Sequence, residues 1–164
     1  MQARVLKPQG GPTVHARPLR HGDVRTVLGL FGRLSERSRR ARFHGPKPCL
    51  SRSDLQQLAS VDRTRHALVA YVDGDPEPVA IARLVRDGRS AEVAFAVADE
   101  YQQQGIGTSL TAELLADARA AGITEITAFV SNGNAAALAL LRRGARVIAV
   151  TFDGPQLAVR AAIS

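Results

Sequence analysis

The chain has no tryptophan, one methionine, one cysteine, two tyrosines and five phenylalanines among 164 residues, and each scarcity closes something off. The single cysteine, Cys49, excludes an internal disulfide and fits a reducing compartment. Long hydrophobic runs are missing too. The longest, 67–72 and 135–141, fall far short of the roughly 20 residues that cross a bilayer. The first fourteen residues hold no apolar core of a signal peptide, so a cytoplasmic protein without membrane contact is expected. Few aromatics leave little for bases to stack on, the arginines are scattered, and no nucleic-acid motif occurs. These features argue against nucleic-acid binding, which the net charge of +7 and pI near 10.9 alone would permit. A positive field suits a polyanionic cofactor equally well. With 45% apolar residues the length allows one domain with a sizeable core. Residues 1–13, polar and carrying Pro8, Gly10 and Gly11, read as a flexible arm, and 14–164 as that domain.

What is present is concentrated in the stretch 91–122. Ala91, Val93, Phe95 and Val97 alternate with Glu92, Ala94 and Ala96, the period-two pattern of a strand. Past Gly107 the period changes: Ile106, Leu110, Leu114 and Ala118 recur every four residues, which places them on one helix face that ends at Gly122. Between the two lies Gln102-Gln103-Gln104-Gly105-Ile106-Gly107-Thr108. Its glycines let a main chain approach a ligand closely, and the first helical turn offers free amides and the positive end of a helix dipole to an anion. A tight structural turn would leave the same letters.

Around this stretch the order is mixed α/β. Val14 to Leu19 reads as a strand; Asp23 caps a helix with an apolar stripe of Val24, Val27, Leu28, Phe31 and Leu34. Ser35 caps a basic turn, Glu36 to Phe43, whose Arg37, Arg39, Arg40 and Arg42 form either a solvated face or a flank of the cofactor or an acidic partner. His44 to Ser51 breaks the pattern as a loop near the substrate entrance, with Cys49 inert within it. Ser53-Asp54 opens a short helix, and His66 reads as a capping or loop residue rather than a ligand; no metal site is expected. Strands at 67–72 and 78–86 lead by tight turns into the central strand, and a strand at 123–130 follows the long helix as its parallel neighbour. Asn134 caps a helix, 135–143, and strands at 146–152 and 156–163 pair through Asp153-Gly154-Pro155. The expectation is a mixed, mostly antiparallel sheet of about seven strands with about four helices.

The glycine-bearing segment resembles the acetyl-CoA signature of the GNAT superfamily of acyl-CoA N-acyltransferases: Arg or Gln, two residues, Gly, one residue, then Gly or Ala. Gln102, Gly105 and Gly107 fill those places. The order of elements from Val14 to Ile163 is similar to the same fold. Two stretches, RPLRHGDVRTVLGLFGRLSERSRRARF with its LS-x-x-S-x-x-x-RF run and AEVAFAVADEYQQQGIG, resemble the bacterial protein-lysine acetyltransferase branch, the Pat type. Larger Pat-type proteins also carry a regulatory or synthetase-like domain, for which 164 residues leave no room. The resemblance implies acetyl-CoA as co-substrate, with Phe95 and Val97 offering backbone groups to pantetheine, Gln102, Gln103, Gln104, Gly105, Ile106, Gly107 and Thr108 holding pyrophosphate, and Asn134 bonding the cofactor besides capping its helix.

Acetyl transfer needs a neutral amine, and a proton-accepting carboxylate assists best when burial raises its pKa. Glu92 is the only acid in a strand of alanines and larger apolar residues. It is either a solvated carboxylate, or one paired with Arg83 or Arg89, or the general base, the role that the Pat-type branch gives to its matching glutamate. One departure stands out: GNAT enzymes often place a tyrosine seven residues after the asparagine to protonate the departing thiolate, and here that position is Leu141. The resemblance thus implies an N-acetyltransferase acting on a protein lysine. Its alternatives are a small-molecule amine acetyltransferase and a non-catalytic acyl-CoA-binding module, which the missing tyrosine would suit.

Overall fold

The computed structural model describes residues 3–163. Met1 and Gln2 of the expected arm, and Ser164 of the expected domain, lie outside it. Eight strands, β1 (Arg4–Leu6), β2 (Val14–Pro18), β3 (Arg65–Val72), β4 (Ala80–Asp87), β5 (Ser90–Val97), β6 (Glu125–Ser131), β7 (Arg146–Asp153) and β8 (Gln156–Ala162), form one sheet. Their order is β1-β2-β3-β4-β5-β6-β8-β7. Five helices accompany them: α1 (Val24–Phe31), α2 (Glu36–Phe43), α3 (Arg52–Leu58), α4 (Ile106–Ala120) and α5 (Ala135–Gly144). Only β5 and β6 run parallel, because α4 carries the chain back across the sheet between them.

At β3 the sheet is buried on both faces, which explains why that strand reads as a continuous apolar run. Leu68 and Ala70 pack with Ile106, Leu110, Leu114 and Leu115 of α4 in the larger core. Ala67 and Val69 face the other way, onto Leu19, Val27 of α1 and the apolar side of α3. The four-residue recurrence in α4 is borne out: Ile106, Leu110, Leu114 and Ala118 are all buried. Asp23, Ser35 and Asn134 cap α1, α2 and α5 by accepting from the amides of Thr26, Ser38 and Ala137.

Several expectations are corrected. Arg4–Leu6, read as part of a loose arm, is an edge strand paired with β2, and Arg4 reaches Glu113 and Asp117 of α4 at 3.0 and 2.9 Å. Eight strands therefore replace about seven. The basic turn after Ser35 is a full helix, giving five helices rather than four. α3 begins earlier than Ser53: Ser51 is its cap, and Asp54 closes the capping box by accepting from the Ser51 amide. His66 lies within β3, where its Nε2 is 2.8 Å from Asp117.

Candidate active site

The cleft arises where the sheet comes apart. β5 and β6 pair only at Ser90, Ala91 and Glu92, opposite Glu125, Ile126 and Thr127. Beyond Glu92 the two strands diverge, while β5 stays bonded to β4 as far as Val97 and β6 stays bonded to β8 as far as Ser131. Each diverging strand thus keeps one edge of backbone groups without a strand partner, and a cleft of about 2020 Å³ opens between them. Such edges invite an extended ligand with amide groups of its own.

The wide end of the cleft meets the start of α4. Gly105 precedes the helix at φ 78°, a left-handed conformation that glycine adopts without strain, and no side chain caps the helix. The amides of Ile106, Gly107 and Thr108 have no protein acceptor among the described residues. Added to the helix dipole, they make an anion site. Gly107 also fits the fold tightly, since a Cβ there would lie 3.1 Å from Leu140 and 3.2 Å from Val97. Gly105 is crowded from another direction: a Cβ there would meet the Gln9 carbonyl at 3.0 Å and Pro8 at 3.3 Å.

The side chains of Gln102 and Gln104 are bonded within the protein. Gln102 Nε2 donates to the Val97 carbonyl and to Ser38 Oγ, each at 3.0 Å, and Gln104 Nε2 donates to the Glu100 carbonyl at 3.1 Å. Both side chains tie the turn to β5, to α2 and to itself. The Gln102 bond shows that the Val97 carbonyl points away from β4, toward the cleft, and the strand period gives Phe95 the same side. At Val97 the amide is left for a ligand, since the carbonyl is engaged. Gln103, at φ 61°, lines the cleft, as do Thr108 and Asn134.

Glu92 stands at the vertex, where pairing ends, and it is exposed in the cleft. The burial expected of a base is therefore not supplied by the protein's own side chains. It has no salt bridge to Arg83 or Arg89; Arg83 instead donates to the carbonyls of Gln57 and Leu58, both at 2.7 Å. α2 forms the wall facing Glu92 and is fixed by Asp99, which accepts from the Ser35 amide and hydroxyl at 2.9 and 2.7 Å. Its arginines divide. Arg37, Arg40 and Arg42 line the cleft, whereas Arg39 turns inward, stacks 3.9 Å from the Phe31 ring and donates to the Phe31 and Pro48 carbonyls. Arg42 is half-buried, and desolvation together with Arg83 pushes its pKa down to about 10, with Glu92 opposing.

Sequence reasoning did not find His44 or Ser131, which line the same cleft. The sequence places His44 at the opening of a loop near the substrate entrance and Ser131 in a turn, without a role for either side chain. The one signal for His44 is its position directly after the last residue of a short helix, where the chain must turn into the site. Cys49 is exposed and outside the cleft wall. Leu141 is fully buried, Tyr101 donates its hydroxyl to Asp75 at 2.8 Å, and Tyr71 accepts from Arg17 at 2.7 Å.

The family model for "Acetyltransferase (GNAT) family" matches residues 34–145, the stretch that holds β5, the uncapped glycine-led α4 and β6. The chain belongs to the GNAT acetyltransferase family. It is 35% identical over 138 residues to Acetyltransferase Pat of Mycolicibacterium smegmatis, a match covering 81% of this chain and 41% of that protein. The chain thus spans about two fifths of that relative's length. Acetyltransferase PA5475 of Pseudomonas aeruginosa is 33% identical over 131 residues, covering 77% of this chain and 70% of that one. Among solved structures, the GNAT domain of S. lividans PAT superposes with a TM-score of 0.86 at 26% identity, covering 98% of this chain and 96% of that one. For a GNAT chain the cleft fits its acyl donor: free strand edges suit the amides of pantetheine, and the free amides of α4 suit pyrophosphate.

Proposed function

We propose that this chain is an acetyl-CoA-dependent N-acetyltransferase that acylates a primary amine, a protein lysine first among the candidates, with Glu92 as general base. The observation that carries the reading is the position of Glu92. A carboxylate stands where β5 and β6 part, so one side chain faces both the strand edges suited to pantetheine and the open arm of the cleft beneath α2.

The chemistry calls for such a group. A lysine of pKa about 10.4 is protonated at pH 7.4, and freeing its lone pair costs roughly 4 kcal/mol, or three pK units. Glu92 accepts that proton, directly or through a cleft water. Val97 and its neighbours hold the donor chain along β5, while Gly105 and Gly107 bring the α4 amides close to its phosphates. Bound donor and acceptor also exclude water from around Glu92, which supplies the desolvation that the open cleft lacks and strengthens the carboxylate as a base.

Protein lysine is supported by the likeness to proteins named Pat over four fifths of this chain, and by the breadth of the cleft. The test is a mass-spectrometric screen of lysate proteins incubated with isotope-labelled acetyl-CoA, with Glu92→Gln as control. Labelled lysines that depend on Glu92 support the reading. Label confined to free polyamines or amino acids would move the acceptor to small molecules, and saturable donor binding without transfer to any amine would make the chain a binding module.

A further inference from the structure

His44 lines the cleft and takes no part in donor binding or in the proton transfer to Glu92. It follows α2 in the left-handed region, at φ 60°, where histidine is one of the non-glycine types found more often. Its Nδ1 lies 3.4 Å from Ser131 Oγ, and that hydroxyl lies 3.2 Å from the Ala41 carbonyl, one of the last-turn carbonyls for which a helix has no internal donor. A serine hydroxyl has one hydrogen, and a carbonyl can only accept. Both contacts are hydrogen bonds only when Ser131 donates to Ala41 and His44 Nδ1–H donates to Ser131. The neutral ring has a single N–H, so Nε2 then carries the lone pair. Nε2 has no partner among the described residues and is not one of the enclosed polar atoms. The charged groups that face the ring are Arg42 from α2 and Glu92 from β5. Burial, with Arg42 adding to it and Glu92 opposing, draws the imidazole below its usual pKa and keeps it neutral at pH 7.

The reaction has two protons to move. An ammonium loses one before its nitrogen attacks and a second after the C–N bond has formed. As the C–S bond breaks, one proton ends on the thiolate and the other in solvent. Glu92 handles one proton at a time, and neither tyrosine hydroxyl is free in the cleft. We propose that His44, oriented by Ser131, is a second proton acceptor of the site: Nε2 takes a proton shed by the amine nitrogen, becomes imidazolium, and returns the proton to cleft water. This rests on the reading of the cleft as an amine acetyltransferase site.

The test uses the intact chain. Side-chain ¹⁵N NMR of the ligand-free protein should show His44 with Nδ1 protonated and Nε2 bare, and Ser131→Ala should abolish that fixed tautomer. With a verified acceptor, His44→Gln keeps hydrogen bonding without titration. It should lower kcat about 10²-fold, leave the KM for acetyl-CoA within twofold, and erase the limb of the pH–rate profile that rises through the His44 pKa. An Nε2–H tautomer, or a His44→Gln variant with wild-type kcat and profile, overturns the proposal. If Glu92→Gln is slow while His44→Gln is normal, only this inference fails. If both variants react at the wild-type rate, the reading of the cleft fails with it.

Discussion

Gly105 shows how much rests on a single missing methyl group. Its φ of 78° is one that an L side chain enters only at about 1–2 kcal/mol, and a Cβ would also press on the Gln9 carbonyl 3.0 Å away. Gly105→Ala should therefore lower stability by about that amount or more, and should weaken acetyl-CoA binding because the amides that follow are re-aimed. Equilibrium denaturation and calorimetric titration with acetyl-CoA check both; unchanged affinity would show that this turn does not hold the donor. The sequence singles out this glycine for the close approach of a ligand, and the fold adds a second constraint, the segment at Pro8 and Gln9. That contact joins residues almost a hundred positions apart, and no local pattern announces it. The sequence leaves the arginines of α2 open between a solvated face and a flank of the cofactor, and only the parting of β5 and β6 beneath that helix brings Arg42 and His44 into the cleft wall.

Among elements, the connections that hold the cleft walls are polar and pH-sensitive. Arg33, just past α1, binds Asp75 in the β3–β4 turn at 2.8 Å and Glu100 in the turn after β5 at 2.9 Å. Arg33, Tyr101 and the Glu77 amide hold the Asp75 carboxyl down at about 2. A carboxylate depressed in the folded state adds stability that is present above its ordinary pKa near 3.8 and is lost as the pH falls through about 2. Asp75→Asn should thus cost at most about 2 kcal/mol at pH 7 and nearly nothing at pH 2. Denaturant titrations of both proteins across that range test it, and a difference that stays constant with pH would contradict it. Elements with strong periodicity, α4 above all, were legible in the chain. β1 was not: three residues form a strand here only because the β2 edge and two acids of α4 are there to receive them.

At the scale of the molecule, neighbouring strands of the central sheet part along the seam between β5 and β6, and the seam begins at Glu92. The order of strands and helices could be read from the sequence because hydrophobic period and capping residues agree with the tertiary packing. The seam could not, because the residues of β5 look the same whether or not β6 remains beside them. If the acid at its vertex accepts the amine proton, the pH dependence of kcat/KM for Glu92→Gln against wild type reveals it. Glutamine keeps size and hydrogen bonding but removes the basic carboxylate, so the rate near pH 7 should fall about 10²- to 10⁴-fold, while the KM for acetyl-CoA changes little. The variant should regain part of its rate toward pH 10, where the amine deprotonates unaided. A Glu92→Gln enzyme that turns over a verified acceptor at the wild-type rate across the pH range would contradict the account.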